Sequence, residues 1–336
     1  MAVAQPEPTE KNSENWFQSA NLGLIFHWGV YSVPAFDELS GIEMRRIQNG
    51  SEWYLQRLNK RSRVSNADIA TKEYHKQNYP SETYKDLAIR FTAERLNMES
   101  WIQLAVSIGA TYVILTSKHH DGFCMWETKT APNWNSVDVG PKMDIVKVFV
   151  ELAQKYNLKV GLYYSWMEFG KGCTKTYVDN IVHPQLRELI EYKIDLIWFD
   201  GDWIADSGEW RVKDIVTELK QSNPGLIIND RLGKNHSSSI KPNYRNYGDR
   251  YMLDEVGKER WESIHTIAYS WGRNKQQRKE HYKTGKVLYD LLVEVNSKNG
   301  NLLLNLGPDA DGTLDEEEVK ALKDLSYLLQ KQKSEI

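Results

Sequence analysis

Short, uninterrupted apolar runs alternate with longer segments of helical period along most of the chain. The runs are LGLIFH at 22–27, TYVILTS at 111–117, VGLYYS at 160–165, DLIWFD at 195–200, LIIND at 226–230 and LLLNL at 302–306. Helical patterns fill 98–106, 143–155, 184–192, 209–221 and 286–295, and a last helix is expected over 316–332. Strands that are apolar along their whole length, separated by helices, belong in a parallel sheet covered by helices and joined by right-handed crossovers. Two architectures meet that description. A doubly wound sheet usually carries a glycine-rich phosphate turn after its first strand, whereas here the first run ends in Phe26-His27-Trp28-Gly29 with no GxGxxG. Polar residues instead close nearly every run from one end of the chain to the other, which is how a (β/α)₈ barrel gathers its chemistry. The expected fold is therefore α/β, an irregular (β/α)₈-like TIM barrel forming a single domain over 16–336, after a polar lead-in at 1–15. The two strands still needed are expected within 240–275. Residues 31–90 form a long insertion after the first strand, which must carry helices of its own or cap the barrel mouth.

Composition narrows the function classes. A chain of 336 residues can bury one large barrel core, and 40% hydrophobic with 26% charged residues is a globular balance. A net charge of −3 gives no bias towards nucleic acid or an anionic membrane, and no apolar stretch is long enough to span a bilayer. Two cysteines, Cys124 and Cys173, cannot make a disulfide framework. With a polar start that lacks a signal-peptide pattern, this favours a cytoplasmic location, although a removed leader would leave the same sequence. The 12 Trp and 18 Tyr suit stacking on the C–H faces of sugars, and equally suit filling a large core.

The densest polar signal is Lys118-His119-His120-Asp121-Gly122-Phe123, directly after the second run. Adjacent histidines at a strand end can hydrogen-bond a ligand rich in hydroxyls. A metal site built on His119, His120, Asp121 and Cys124 is the competing use, without HxH or HExxH spacing to support it. A Cys124 nucleophile and a purely structural histidine are further alternatives. Asp200 ends an otherwise apolar strand (Ile194, Leu196, Ile197, Trp198), where an aspartate in a barrel reads as catalytic. Its bland use would be as a helix N-cap, but the polar GDWIADSG that follows delays the next helix to about 209. Arg231, in Asn229-Asp230-Arg231, can hold a neighbouring carboxylate or a substrate hydroxyl, or form a structural ion pair. Downstream lie Asp249, Asp254, Glu255 and Glu262. A retaining glycosidase needs a second carboxyl about 5–5.5 Å from its nucleophile, and a sequence does not measure that separation.

These blocks, in order, resemble glycoside hydrolase family 29, the α-L-fucosidases, from about residue 16 to 329. The resemblance rests on Phe26-His27-Trp28-Gly29, Ser51-Glu52-Trp53-Tyr54, Lys118-His119-His120-Asp121-Gly122-Phe123, Gly161-Leu162-Tyr163-Tyr164-Ser165, Trp198-Phe199-Asp200-Gly201, Asn229-Asp230-Arg231, Ser270-Trp271-Gly272 and Asn301–Pro308. It implies a retaining exo-α-L-fucosidase acting by double displacement on terminal fucose of oligosaccharides or glycoconjugates, with no cofactor and no metal. Asp200 matches the nucleophile. His27, Trp28, His119, His120, Tyr164 and Arg231 match the sugar pocket, together with Glu52 and Trp53 on the insertion, while Trp28 or Trp271 would meet the C6 methyl. The segment that should hold the acid/base departs from the family pattern. Glu255 is the first choice, Asp249 and Asp254 follow, and Glu262 and Glu52 are weaker. The chain also stops where relatives continue into a β-sandwich, so it is expected to be a short member or a truncated one, with a homo-oligomer possible. The alternatives are a fucose-binding barrel without catalysis and a metal-dependent hydrolase using His119 and His120.

Overall fold

The computed structural model describes residues 15–39 and 50–334. Most of the expected lead-in at 1–15 and part of the insertion lie outside that range. Seven parallel strands form one sheet: β1 (Leu22–Phe26), β2 (Tyr112–Lys118), β3 (Lys159–Ser165), β4 (Leu196–Asp200), β5 (Ile227–Ile228), β6 (Trp261–Thr266) and β7 (Gly300–Leu306), in the order β5-β4-β3-β2-β1-β7-β6. Sequence neighbours pair from β1 to β5 and from β6 to β7, and β7 returns to pair with β1, as in a (β/α)₈ barrel.

The gap between the edge strands is filled by an irregular segment, 243–246. The Asn243 N–H donates to the Ile228 carbonyl at 3.0 Å on one side. On the other, the Glu262 N–H donates to the Arg245 carbonyl at 2.9 Å, and Arg245 bridges Trp261 in parallel. Of the two strands expected within 240–275, one forms, β6, and the other place is taken by this irregular segment. The lower mouth is plugged by the helix Asn15–Ser19, whose Phe17 ring stacks on Tyr244 at 4.2 Å.

Alternation along each strand sorts its residues into two cores. Ile25, Tyr112, Ile114, Tyr163, Leu196, Trp198, Ile264 and Leu303 meet inside the barrel. Their neighbours Leu24, Phe26, Val113, Leu115, Leu162, Tyr164, Ile197 and Phe199 face the outer helices. Phe26, for example, stacks on Trp101 of the helix Met98–Ser107 at 5.0 Å and meets Phe149 of Ile145–Lys155 edge-on. Both strand faces are buried, which is why the runs read as continuously apolar. The insertion carries the helices Tyr54–Asn59 and Asn66–Asn78 and the short turns 51–53 and 86–90. It leans over the C-terminal ends of the strands.

Candidate active site

The polar residues that end the strands converge at one mouth of the barrel. Asp200 closes β4, and the chain then turns through Gly201 at φ 72°. A side chain at 201 would also meet Ser165 Oγ at 2.7 Å, so glycine is required there on two counts. Past β2, the Asp121 carboxylate accepts the Phe123 N–H at 3.1 Å and the Tyr84 hydroxyl at 2.7 Å. Gly122 adopts φ 78°. This Asx turn fixes the preceding His119 and His120 at the rim.

Asp200 is 8% exposed and fully engaged. Its Oδ1 accepts from Arg231 Nη1 at 2.6 Å and its Oδ2 from the Tyr163 hydroxyl at 2.7 Å. Burial alone would raise its pKa. The charge of Arg231, with the hydrogen bonds from Tyr163 and Arg231, outweighs that and holds the carboxyl below its usual range. The side chain is therefore an anion at neutral pH. The same guanidinium reaches Asp249 Oδ1 at 2.6 Å and Asn246 Oδ1 at 2.8 Å, and lies over the Trp198 ring at 4.6 Å.

Three histidines stand around this carboxylate as neutral rings, because burial pushes His27 and His120 down to about 4 and His119 well below its ordinary value. Hydrogen bonds assign the tautomers of His27 and His120. Asn305 Nδ2 donates to the Trp271 carbonyl, so its Oδ1 faces His27 Nδ1 at 2.5 Å and must accept. Ser165 Oγ donates to the Met167 carbonyl and so accepts from His120 Nδ1 at 2.6 Å. The Nε2 atoms of His27 and His120 are consequently bare acceptors, and that of His120 lies 3.6 Å from Asp200 Oδ2. Two acceptors at that separation favour a donor between them, such as a substrate hydroxyl. His119 stacks flat on Tyr163 at 5.4 Å, and its Nδ1 is buried without a hydrogen-bond partner among the described residues.

The insertion supplies the opposite wall. Glu52 Oε1 accepts the Gly50 N–H at 2.6 Å and its Oε2 the Gly272 N–H at 3.0 Å, tying the insertion to the loop that follows β6. Burial raises its pKa, against those backbone donors. Trp53 meets His120 and Phe169 at 5.5 and 5.1 Å, and Trp271 packs on His27 at 5.4 Å beneath the Arg250 guanidinium. Together these groups line one partly open pocket at the barrel mouth, with apolar rings and a few convergent polar groups.

The family model for Alpha-L-fucosidase matches residues 3–334. The chain belongs to the α-L-fucosidase family. It is 32% identical over 333 residues to the alpha-L-fucosidase of Dictyostelium discoideum, covering 94% of this chain and 69% of that protein. It is 34% identical over 315 residues to the tissue alpha-L-fucosidase of Rattus norvegicus, covering 89% and 64%. Among solved structures, the Thermotoga maritima alpha-fucosidase in complex with fucose is 31% identical with a TM-score of 0.80, over 95% of this chain and 74% of that one. The chain thus spans about two thirds of the length of the curated relatives it matches.

Of the residues singled out from the sequence, His27, Glu52, Trp53, His119, His120, Asp200, Arg231, Asp249 and Trp271 all line one pocket. Five expected residues do not line it. Trp28 follows His27 on a strand end and so points the other way, packing on Phe91 and Trp101 with its indole N–H on the Asp309 carbonyl at 2.7 Å. Tyr164 likewise faces the outer helices, where its hydroxyl donates to Gln185 at 2.7 Å; its neighbour Tyr163 is the pocket tyrosine. Glu255 is exposed, with Asp254, on an irregular stretch outside the pocket. Glu262 is buried inside the barrel below the pocket. The residues that sequence reasoning missed are Tyr163, Trp198, Trp203 and Ile264. Strand parity carries the signal for Tyr163 and Trp198, since both share the inward phase of their strands. For the metal alternative, no group of three or more His, Cys, Asp or Glu side chains forms a donor set among the described residues. Cys124 is buried against Gly122 and Gln185.

Proposed function

We propose that the chain is a retaining exo-α-L-fucosidase that removes terminal α-L-fucose from oligosaccharides or glycoconjugates. The observation that carries this reading is the state of Asp200. It is an anion held by Arg231 and Tyr163 in a pocket at the barrel mouth, ringed by neutral histidines.

In this reading one oxygen of Asp200 attacks the anomeric carbon as the bond to the glycosidic oxygen breaks, and a fucosyl ester forms. Water then attacks the same carbon, releases the carboxylate and yields fucose with its configuration retained. Positive charge builds on the ring in both transition states, and neutral histidines do not oppose it as imidazolium ions would. Arg231 and Tyr163 keep Asp200 oriented. The bare Nε2 atoms of His27 and His120 accept hydroxyl protons of the sugar. Trp271 and Ile264 offer apolar surface for the C6 methyl, the contact first expected of Trp28 or Trp271.

The proton donor must stand on the leaving-group side, at the open mouth. Two carboxylates line the pocket besides Asp200. Glu52 is 1% exposed with both oxygens held by backbone N–H groups, whereas the Asp249 side chain is 34% exposed at the rim. We therefore place Asp249 as the acid/base, ahead of the first expectation, Glu255.

The test is hydrolysis of 4-nitrophenyl α-L-fucoside followed by proton NMR. The α-anomer of fucose should appear first and then mutarotate. The β-anomer first would contradict retention, and fucose binding without any release would favour a binding barrel.

A further inference from the structure

The mechanism above makes no use of Glu262, although it is among the most deeply buried carboxyl groups of the molecule, at 0% exposure. It projects from β6 into the barrel interior below the pocket. Its Oε1 accepts the Trp198 indole N–H at 2.7 Å and its Oε2 the Tyr112 hydroxyl at 2.6 Å. A buried carboxyl is costly unless its partners are well placed. Here they lead to the reactive centre by two routes. The first runs through the Trp198 ring, which carries the Arg231 guanidinium on one face at 4.6 Å and lies parallel to Tyr163 at 5.6 Å. Those are the two residues that hold Asp200. The second runs through the backbone: the Glu262 carbonyl accepts from Asn246 Nδ2 at 3.3 Å, and Asn246 Oδ1 accepts from Arg231 at 2.8 Å.

We propose that Glu262 is a positioning residue, which sets Trp198, and through it Arg231 and Tyr163, at the geometry that holds Asp200. The proposal rests on Asp200 being the nucleophile. It also gives the site a proton-dependent support. Burial pushes the Glu262 carboxyl up to about 7, against the hydrogen bonds from Tyr112 and Trp198 and the charge of Arg231, which favour the ion. The titratable and charged groups facing it are Tyr112 on β2, Tyr244 on the closing segment and Arg231 beyond β5. Below about pH 7 the neutral acid dominates; above it the carboxylate does, and the bonds from Trp198 and Tyr112 become charge-assisted and stronger.

Glu262→Gln separates this from a packing role, because glutamine copies the neutral acid in shape and never ionises. On the acid side of neutrality the variant should turn over an aryl α-L-fucoside within about twofold of wild type. On the alkaline side its kcat should fall roughly tenfold below wild type, with KM little changed. Trp198→Phe removes the indole N–H and should produce the same alkaline loss, and the double variant should lose no more than either single one. A wild-type-to-Gln ratio that is constant across pH, or losses that multiply in the double variant, would overturn the proposal. If Glu262→Gln does not fold, the pH dependence of Trp198→Phe alone decides, a constant ratio again overturning it. Wild type that releases no fucose at any pH would defeat the enzymatic reading itself, and so is distinct from failure of the inference.

Discussion

The two halves of the barrel mouth are built differently. From β1 to β4, regular strands deliver His27, His119 and His120, Tyr163 and Asp200, each at a strand end or on the turn just beyond it. From β5 to β6 the strand is two residues long, the eighth position is held by a few bonds of 243–246, and Arg231, Asp249 and Trp271 ride on irregular chain. The regular half holds Asp200 and the histidines in fixed, buried geometry. In the proposed mechanism, the irregular half holds the groups that meet a leaving group of variable shape. Rigid elements suit the reacting centre, and loops suit the side where substrates differ.

If that division is right, the largest effect comes from the regular half. Asp200→Ala should abolish release of fucose, a loss of at least about 10⁴-fold in kcat, because no other group replaces the covalent step. Steady-state assay with an aryl fucoside measures it, and near-normal turnover would remove Asp200 from its role. In the irregular half the effect should be smaller and depend on the leaving group. Asp249→Ala should cost roughly 10²–10³-fold with an unactivated oligosaccharide, much less with 4-nitrophenyl fucoside, and azide should restore part of it. Glu255→Ala should stay within about threefold of wild type on both; a larger loss there than at Asp249 would transfer the proton-donor role to that stretch.

The smallest and most discriminating pair lies within one strand. Tyr163→Phe should lower kcat roughly tenfold by removing a donor to Asp200. Tyr164→Phe should leave kcat unchanged and cost about 1 kcal/mol of stability, because it removes the hydroxyl that bonds Gln185 and Lys118. Comparing kcat with thermal unfolding for the two variants checks which tyrosine faces the sugar.

That pair also shows how far the sequence could be read. Both tyrosines sit in an apolar run, and because a barrel strand is buried on both sides, composition does not reveal which face is which. Parity does: Tyr163 is in phase with Gly161 and Ser165, and Asp200 with Trp198, whereas Trp28 and Tyr164 fall in the outward phase with Phe26 and Leu162. Motif resemblance alone placed Trp28 and Tyr164 in the pocket; alternation within the same strings would have moved them out. The six long runs and the cluster around His119 were legible because they are continuous and end in chemistry. The stretch KPNYRNYGDR was not, since it holds its place by a few main-chain bonds and by Arg231 rather than by an apolar pattern. β6 was hidden for a different reason: its inward residues include Glu262, a buried carboxyl that only its partners Trp198 and Tyr112 make tolerable. Where Glu255 stands depends on irregular chain with no strand to fix it, so spacing from Gly248-Asp249 could not locate it.

The most direct test of the central claim is to trap the covalent step. A 2-deoxy-2-fluoro-α-L-fucosyl fluoride forms the ester quickly and hydrolyses it slowly, because the 2-fluorine destabilises both oxocarbenium-like transition states. After incubation and peptic digestion, mass spectrometry should find the added sugar on a single peptide, esterified to Asp200. Label on any other residue, or an unlabelled protein that still turns over an aryl fucoside, would contradict the account.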